Sequence, residues 1–369
     1  PEENVIVVVC NMYPICLNHS IQTCPKNARF KRHLNGWLQL TENVLVWHYI
    51  TDFKHYVLPF PNFSALAEDL AYYKNIGVKG FLGQAGFTDE QEFQNLRNYY
   101  LLKLCWNVQT NIDALFKNYF QNFYGPAGEI IQKYFRQLQE KAKDQNIHMH
   151  LYSGLEAGYL DKDFLSRSYK LLNSAESAVK GNTLYEKRVE RVRMSLDYTN
   201  LLMDIEYIIK LGKLIPTNLD LKLQVLNRFK EQVEQFGVQN MGEDVGIDWF
   251  LTYCEEKYQK YSIEALLELA PSVMKIINYL LKKVDEMKDS KNNFKLLDMA
   301  PSALKLGLNP RSLMQWLQDN NIVTYNENNI WERKLNEKEL NKWKHPKFPK
   351  PDLKAVKMIA SKYLEKNGN

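Results

Sequence analysis

The clearest periodicity in the chain runs through residues 43–86. Residues 43–49 form a short apolar run rich in β-branched and aromatic side chains, and the Pro-Phe-Pro-Asn segment at 59–62 stops any continuation, so the run reads as a strand. Phe63, Leu66, Leu70 and Tyr73 then recur on one helical face. Asn62 stands at the N-cap position, where its side-chain oxygen is expected to accept from the first free N–H groups, and Gly77 supplies a left-handed stop. Residues 78–82 resume as a strand. A strand, a crossover helix and a second strand of this length predict parallel pairing, and residues 5–9 read as a third strand.

Thereafter the pattern turns helical. Thr88 with Gln91 reads as a capping box before Phe93, Leu96, Tyr100 and Leu104. Amphipathic helices are expected over 113–123, 127–143, 161–180, 183–211 and 219–236, with stops at the Tyr124-Gly125-Pro126 break, Gly181, Gly212 and Gly237. Short connections between such helices predict antiparallel packing in a bundle. Residues 300–323 read as two short helices joined at Gly307, with the spacing of a helix-turn-helix; they resemble the small winged modules of phage regulators, with 325–333 as the wing. The expected fold class is therefore α/β plus all-α. Four regions follow: an α/β part over 1–109, an α-helical domain over 110–290, a helix-turn-helix-like module over 291–345, and a basic linker with a terminal helix over 346–369.

Composition changes this picture little. The chain has 369 residues, 45% of them hydrophobic and 25% charged, which fits a globular protein of two or three domains. No apolar run approaches the roughly 20 residues of a membrane helix, so no membrane segment is expected. Residues 331–369 hold eleven Lys or Arg against five Asp or Glu, so the tail is basic while the whole chain nets only +5. Such a tail could touch nucleic acid or be a solvated helix; the expected second helix of the module has Arg311 as its only cation, which argues against base readout.

In parallel α/β folds chemistry gathers at the carboxyl ends of strands. Here those ends offer Asn11, then Trp47, His48 and Tyr49, then Gly83 and Gln84, with no carboxylate among them. Flat rings with amides and phenols suit a polyhydroxylated ligand. Cys10, Cys16, His19 and Cys24 make a C-x5-C-x2-H-x4-C pattern that could be drawn as zinc ligands, but it matches no standard knuckle. Packed thiols are the default reading for Cys10, Cys16 and Cys24, with a disulfide between two of them as the alternative, and Cys105 reads as core. His148 and His150 alternate like strand neighbours and could face one way to share a metal, though a short connection with two solvated imidazoles is the plainer reading; Glu243, Asp244 and Asp248 resemble a loop that could bind a cation but lack the alternating ligands of a calcium loop. No metal, no cofactor and no catalytic residue is assigned.

Several motifs in order carry a family likeness: the Cys-rich loop with His19 and Asn27, Gly36-Trp37, Val-Trp-His-Tyr at 46–49, Pro-Phe-Pro-Asn at 59–62, GVKGFLGQAG at 77–86, LRNYYLLKLCWN at 96–107 and FYGPA at 123–127. They resemble a bacterial domain of unknown function that overlaps the endo-β-N-acetylglucosaminidases of glycoside hydrolase family 163, over roughly the first third of the chain. The resemblance implies the last strands of a TIM-type (β/α) barrel. It implies a partner that is a glycan or oligosaccharide containing N-acetylglucosamine, and a periplasmic or cell-surface location in bacteria. In that family the substrate's own acetamido group is the nucleophile and a Glu on an earlier strand is the acid. That strand would precede Pro1, so the chain is expected to be the C-terminal part of a longer protein or a degenerate remnant of one. By the same likeness Trp47 would stack on a sugar ring and Tyr49 would donate toward the acetamido oxygen, while Asn11, His19 and Gln84 would hold hydroxyls. The chain departs from the family at His48, and at Gly83 and Gln84, where acidic residues are usual. The alternatives are barrel packing for Trp47 and Tyr49, a loop contact for His19, and, for the whole chain, a non-catalytic glycan-binding or regulatory protein with a nucleic-acid- or partner-binding C-terminal module, or a structural helical scaffold.

Overall fold

The computed structural model describes residues 1–12, 15–86, 91–203, 207–210 and 213–258, together with short strands at 261–262, 293–294, 323–325 and 331–333. Strand β1 (Val7–Cys10), helix α1 (Ala28–Leu40), β2 (Val44–Tyr49), α2 (Phe63–Asn75) and β3 (Gly80–Gln84) alternate along the chain. The three strands form a parallel sheet in the order β1-β2-β3, with Cys10 opposite Trp47 and Trp47 opposite Leu82. Gly77, at φ +92°, ends α2 in the left-handed region that glycine enters without a Cβ penalty.

Asn62 does precede α2, but its side chain makes no cap bond. It turns inward instead, donating to the carbonyl of Ile50 (3.0 Å) and accepting from Arg97. Arg97 lies on α3 (Gln94–Trp106), is fully buried, and also donates to the carbonyls of Ile50 and Phe60. One guanidinium with several donors thus satisfies backbone groups where β2 has ended and no further ladder exists. This demand outweighs a cap bond at Asn62. The residue before α3 is Phe93, in a left-handed conformation; Thr88 lies outside the described residues.

Helices α4 (Ile112–Tyr124), α5 (Gly128–Asp144), α6 (Lys162–Val179) and α7 (Thr183–Leu202) follow. Each packs on the next, and α7 returns to α4, closing a four-helix arrangement. An aromatic cluster joins it to the α/β part: Phe135 of α5 lies 5.0 Å from Phe63 of α2 and 4.9 Å from Phe116 of α4, ring centre to ring centre. The core therefore runs across residue 109. Helix α7 stops at Leu202, short of the 211 expected from the sequence. The YIIK and KLIP segments form antiparallel strands β4 (Tyr207–Lys210) and β5 (Lys213–Pro216), so cross-strand pairing wins over helical continuation. Cys105, expected in the core, is exposed on α3.

Helix α8 (Leu219–Phe236), the hairpin of β6 (Asn240–Gly242) and β7 (Val245–Gly246), and α9 (Ile247–Lys257) complete the helical part. Two compact units result: Pro1–Met203 with Leu221–Thr252, and Asp204–Asp220 with Tyr253–Asn369. In the second, β8 (Tyr261–Ser262) pairs with β5, while β9 (Asn293–Phe294), β10 (Val323–Tyr325) and β11 (Trp331–Arg333) form a separate antiparallel sheet. The helices expected over 300–322 lie outside the described residues.

Candidate functional site

Successive side chains of β2 meet opposite environments. Val44, Val46 and His48 are buried toward α2, where His48 Nδ1 lies 2.8 Å from the Tyr73 hydroxyl and Nε2 lies 3.9 Å from Asp69. Burial lowers the His48 pKa to about 3 and raises that of Asp69 to about 8. The imidazole is therefore neutral and the carboxyl protonated at pH 7, since desolvation disfavours both charged forms. His48 is a packed residue of the inner face.

Trp47 points the other way and is 38% exposed. Its indole Nε1 donates to Gln84 Oε1 at 2.5 Å, across the β2–β3 pair. Val8 and Leu82 are exposed on the same face, with Cys10 beside Trp47. Tyr49 is half-buried, its ring edge-on to Phe53 at 5.3 Å. Asn11 is fully buried. Its N–H donates to the Trp47 carbonyl (3.0 Å) and its Oδ1 accepts from the Tyr49 N–H (2.6 Å), supplying the rung that β1 no longer provides. Asn11 thus fixes the end of β2 and does not itself face solvent.

The buried loop after β2 recruits two further groups to this rim. The Phe53 N–H donates to the Leu151 carbonyl (2.6 Å), while the Phe53 carbonyl accepts from Glu243 N–H (2.7 Å) and the Met241 carbonyl accepts from Tyr56 N–H (2.8 Å). Gly242 permits this approach, because a Cβ there would run into the Lys54 carbonyl. Asp52 closes the loop by accepting from the N–H groups of Lys54 (2.9 Å) and His55 (3.2 Å). Through these bonds the Tyr152 hydroxyl comes to donate to the Glu243 carboxylate at 3.0 Å. Burial raises the Tyr49 phenol pKa, with Cys10 and Glu243 adding to it; burial and then Glu243 raise that of Tyr152. Both phenols are protonated donors at neutral pH.

Residues 1–136 match DUF4838, a domain of unknown function. No curated protein and no solved structure matches the chain. The DUF4838 segment contains Asn11, Trp47, Tyr49 and Gln84, whereas Tyr152 and Glu243 lie beyond it. Neither of those two stands out as a rim residue in the sequence; the one local signal is the Gly-flanked turn at 242–246.

His19 is placed in a different cluster. Its Nδ1 is 3.2 Å from Cys16 Sγ, and its ring stacks on His148 at 4.4 Å between centroids. Burial, then the neighbouring Cys24, raises the Cys16 pKa to about 11. A cavity of about 300 Å³ opens away from the rim, lined by Glu92, Tyr119, Phe123, Arg188, Arg191 and Phe236 among others. Burial raises the Glu92 pKa to about 8 there, against the opposing pull of Arg97.

Proposed function

We propose that the chain binds carbohydrate at the carboxyl ends of β2 and β3, as part of a glycoside-hydrolase-like protein directed at N-acetylglucosamine-containing glycans. One observation carries this reading: an exposed indole whose edge is held by Gln84, leaving a fixed flat surface for the apolar face of a pyranose. The Tyr49 and Tyr152 phenols, the Gln84 amide and the Glu243 carboxylate supply donors and acceptors for hydroxyl and acetamido groups. Asn11 acts by holding Tyr49 in place. Consecutive parallel strands with a crossover helix between neighbours, and one apolar face left open, support a partial (β/α) barrel as the setting. In the substrate-assisted form of the reaction Tyr49 would donate toward the acetamido oxygen, and the general acid would come from a strand before β1.

Calorimetric titration with N-acetylglucosamine oligomers tests the reading. Trp47→Ala is expected to lower affinity by about tenfold, equivalent to about 1.4 kcal/mol, with the melting temperature unchanged. Wild-type protein that gives no heat, or a variant that binds as well as wild type, would remove the sugar rim.

A further inference from the structure

Cys16, His19 and His148 offer ligand atoms that all lie within 4.8 Å of one another, although 129 residues separate the second from the third along the chain. Cys16 Sγ is 3.2 Å from His19 Nδ1 and 3.3 Å from His148 Nδ1, and Cys24 Sγ is 3.6 Å from that same His148 nitrogen. We propose that Cys16, His19 and His148, with Cys24 as the fourth donor once its thiol turns in from beside His148, form a transition-metal site, with zinc as the metal the donor set selects, joining the loop after β1 to the connection after α5.

Distances support this first. A tetrahedral zinc with Zn–S near about 2.3 Å and Zn–N near about 2.0 Å holds neighbouring sulfur and nitrogen donors about 3.5 Å apart. The three separations bracket that value, while Cys24 Sγ lies outside the 4.8 Å group formed by the other three donors, so its thiol must turn inward to complete the tetrahedron. Proton supply supports it second. Cys16 Sγ faces both His19 Nδ1 and His148 Nδ1, and its single thiol proton cannot serve the two imidazole nitrogens at once; Asn18 Oδ1, 3.2 Å from the same sulfur, already accepts from Met149 N–H. Turning either imidazole to donate from Nδ1 leaves it pointing at sulfur, a weak acceptor. A cation satisfies the sulfur and imidazole lone pairs at once.

The backbone carrying the ligands is held independently of any metal. Asn27, fully buried, accepts from Cys16 N–H (2.8 Å) and donates to the carbonyls of Cys16 (2.9 Å) and His19 (3.1 Å). Three bonds then tie this loop to the His148 segment: Leu17 N–H to the Met149 carbonyl (2.7 Å), Asn18 Nδ2 to the Ile147 carbonyl (2.6 Å), and Met149 N–H to Asn18 Oδ1 (2.8 Å). Such outer contacts orient ligands before the metal arrives. Sulfur with imidazole favours zinc over the hard cations, and four protein donors leave no open position, which makes the site structural. Binding displaces the thiol protons into solvent as the thiolates form.

Metal content of the full chain, purified without chelator, tests the assignment. About one zinc per chain is expected. Cys16→Ser and His148→Ala lose it, while His150→Ala, whose Nδ1 accepts from Tyr152 N–H, keeps it. Cobalt(II) added to metal-free protein should give tetrahedral visible bands and a thiolate charge-transfer band, the latter roughly halved in Cys24→Ser. Should the variants misfold, wild-type protein alone decides: zinc raises its melting temperature by several degrees and EDTA reverses the shift. Equal zinc in wild type and Cys16→Ser would overturn the proposal. So would a wild-type melting temperature indifferent to zinc and EDTA, or a Cys16–Cys24 disulfide found by mass spectrometry under non-reducing conditions.

Discussion

The two faces of the parallel sheet are built from alternate residues of the same strands, yet they differ in almost every physical respect. On the inner face Val44 and Val46 are fully buried, and the polar residues beside them are committed to structure. On the outer face Val8, Trp47 and Leu82 remain exposed. Parallel sheets are ordinarily covered on both sides, and this outer face, uncovered among the described residues, lies beside the polar rim on which the proposed binding surface rests. Period-two alternation lets one strand serve both tasks, because burying one side chain does not constrain the next.

The inner side should prove the more costly to disturb. Arg97→Met leaves the Phe60 carbonyl and Asn62 Oδ1 without their guanidinium donor, and Glu92 without its nearby cation at 3.9 Å. The expected loss is about 3–5 kcal/mol, measured by urea denaturation. A cost below about 1 kcal/mol would mean that the buried network is replaceable by apolar packing.

Titration of the inner face has a definite sign. The Asp69 pKa is raised to about 8 by burial, with Glu68 adding to it and the bonds from Ile21 N–H and Ser20 opposing; His48 and Tyr73 are the other polar groups beside it. Between its ordinary value near about 4 and that raised value, the unfolded chain has lost a proton that the folded chain keeps. Stability from this group therefore falls as pH rises across the window, by up to about 1.4 kcal/mol per pH unit. Asp69→Asn retains an acceptor for Ile21 N–H and removes the ionisation. Melting curves from pH 5 to pH 8 should show the variant gaining on wild type as pH rises; parallel curves would refute the buried, protonated carboxyl. His48 acts in the opposite direction, since its depressed pKa costs stability as pH falls below about 6.5.

Neighbours in sequence give the sharpest contrast. Val46→Ala is expected to cost about 2 kcal/mol of stability through lost burial and a small cavity, and to leave sugar binding intact. Trp47→Ala should do the reverse, leaving the melting temperature within a degree or two while lowering affinity about tenfold. If both variants lose stability alike, the outer face is covered in solution.

What the sequence disclosed follows the same division between short-range and long-range physics. The strand, helix, strand unit was readable because periodicity and the Gly77 stop are local, and so was the placing of Trp47 and Gln84 at neighbouring strand ends. The position of Asn62 was readable, but its side-chain direction was decided by Arg97, 35 residues later. His148 and Glu243 were noticed but given the wrong company, His148 paired with His150 and Glu243 with Asp244 and Asp248, because their partners Cys16 and Tyr152 are distant in the chain. Helix α7 was overextended because YIIK and KLIP fit a helical period as readily as a hairpin, and cross-strand pairing decides between them.

The smallest expected effect discriminates between an open face and a covered one. Leu82 stands opposite Trp47 on β3 and is 51% exposed, so Leu82→Ser removes little buried area and should change stability by less than about 0.5 kcal/mol. Val46, one position away on β2 but facing inward, provides the calibration under the same conditions. A near-neutral Leu82→Ser with unchanged glycan affinity would place the binding surface at Trp47, Tyr49 and the Glu243 side of the rim. A loss of 2 kcal/mol or more, on the scale of about 25 cal/mol per Å² of apolar surface, would mean that Leu82 is buried in solution by a partner or another copy of the chain. In that case the exposed indole would be part of an interface and the sugar reading of Trp47 would fall with it.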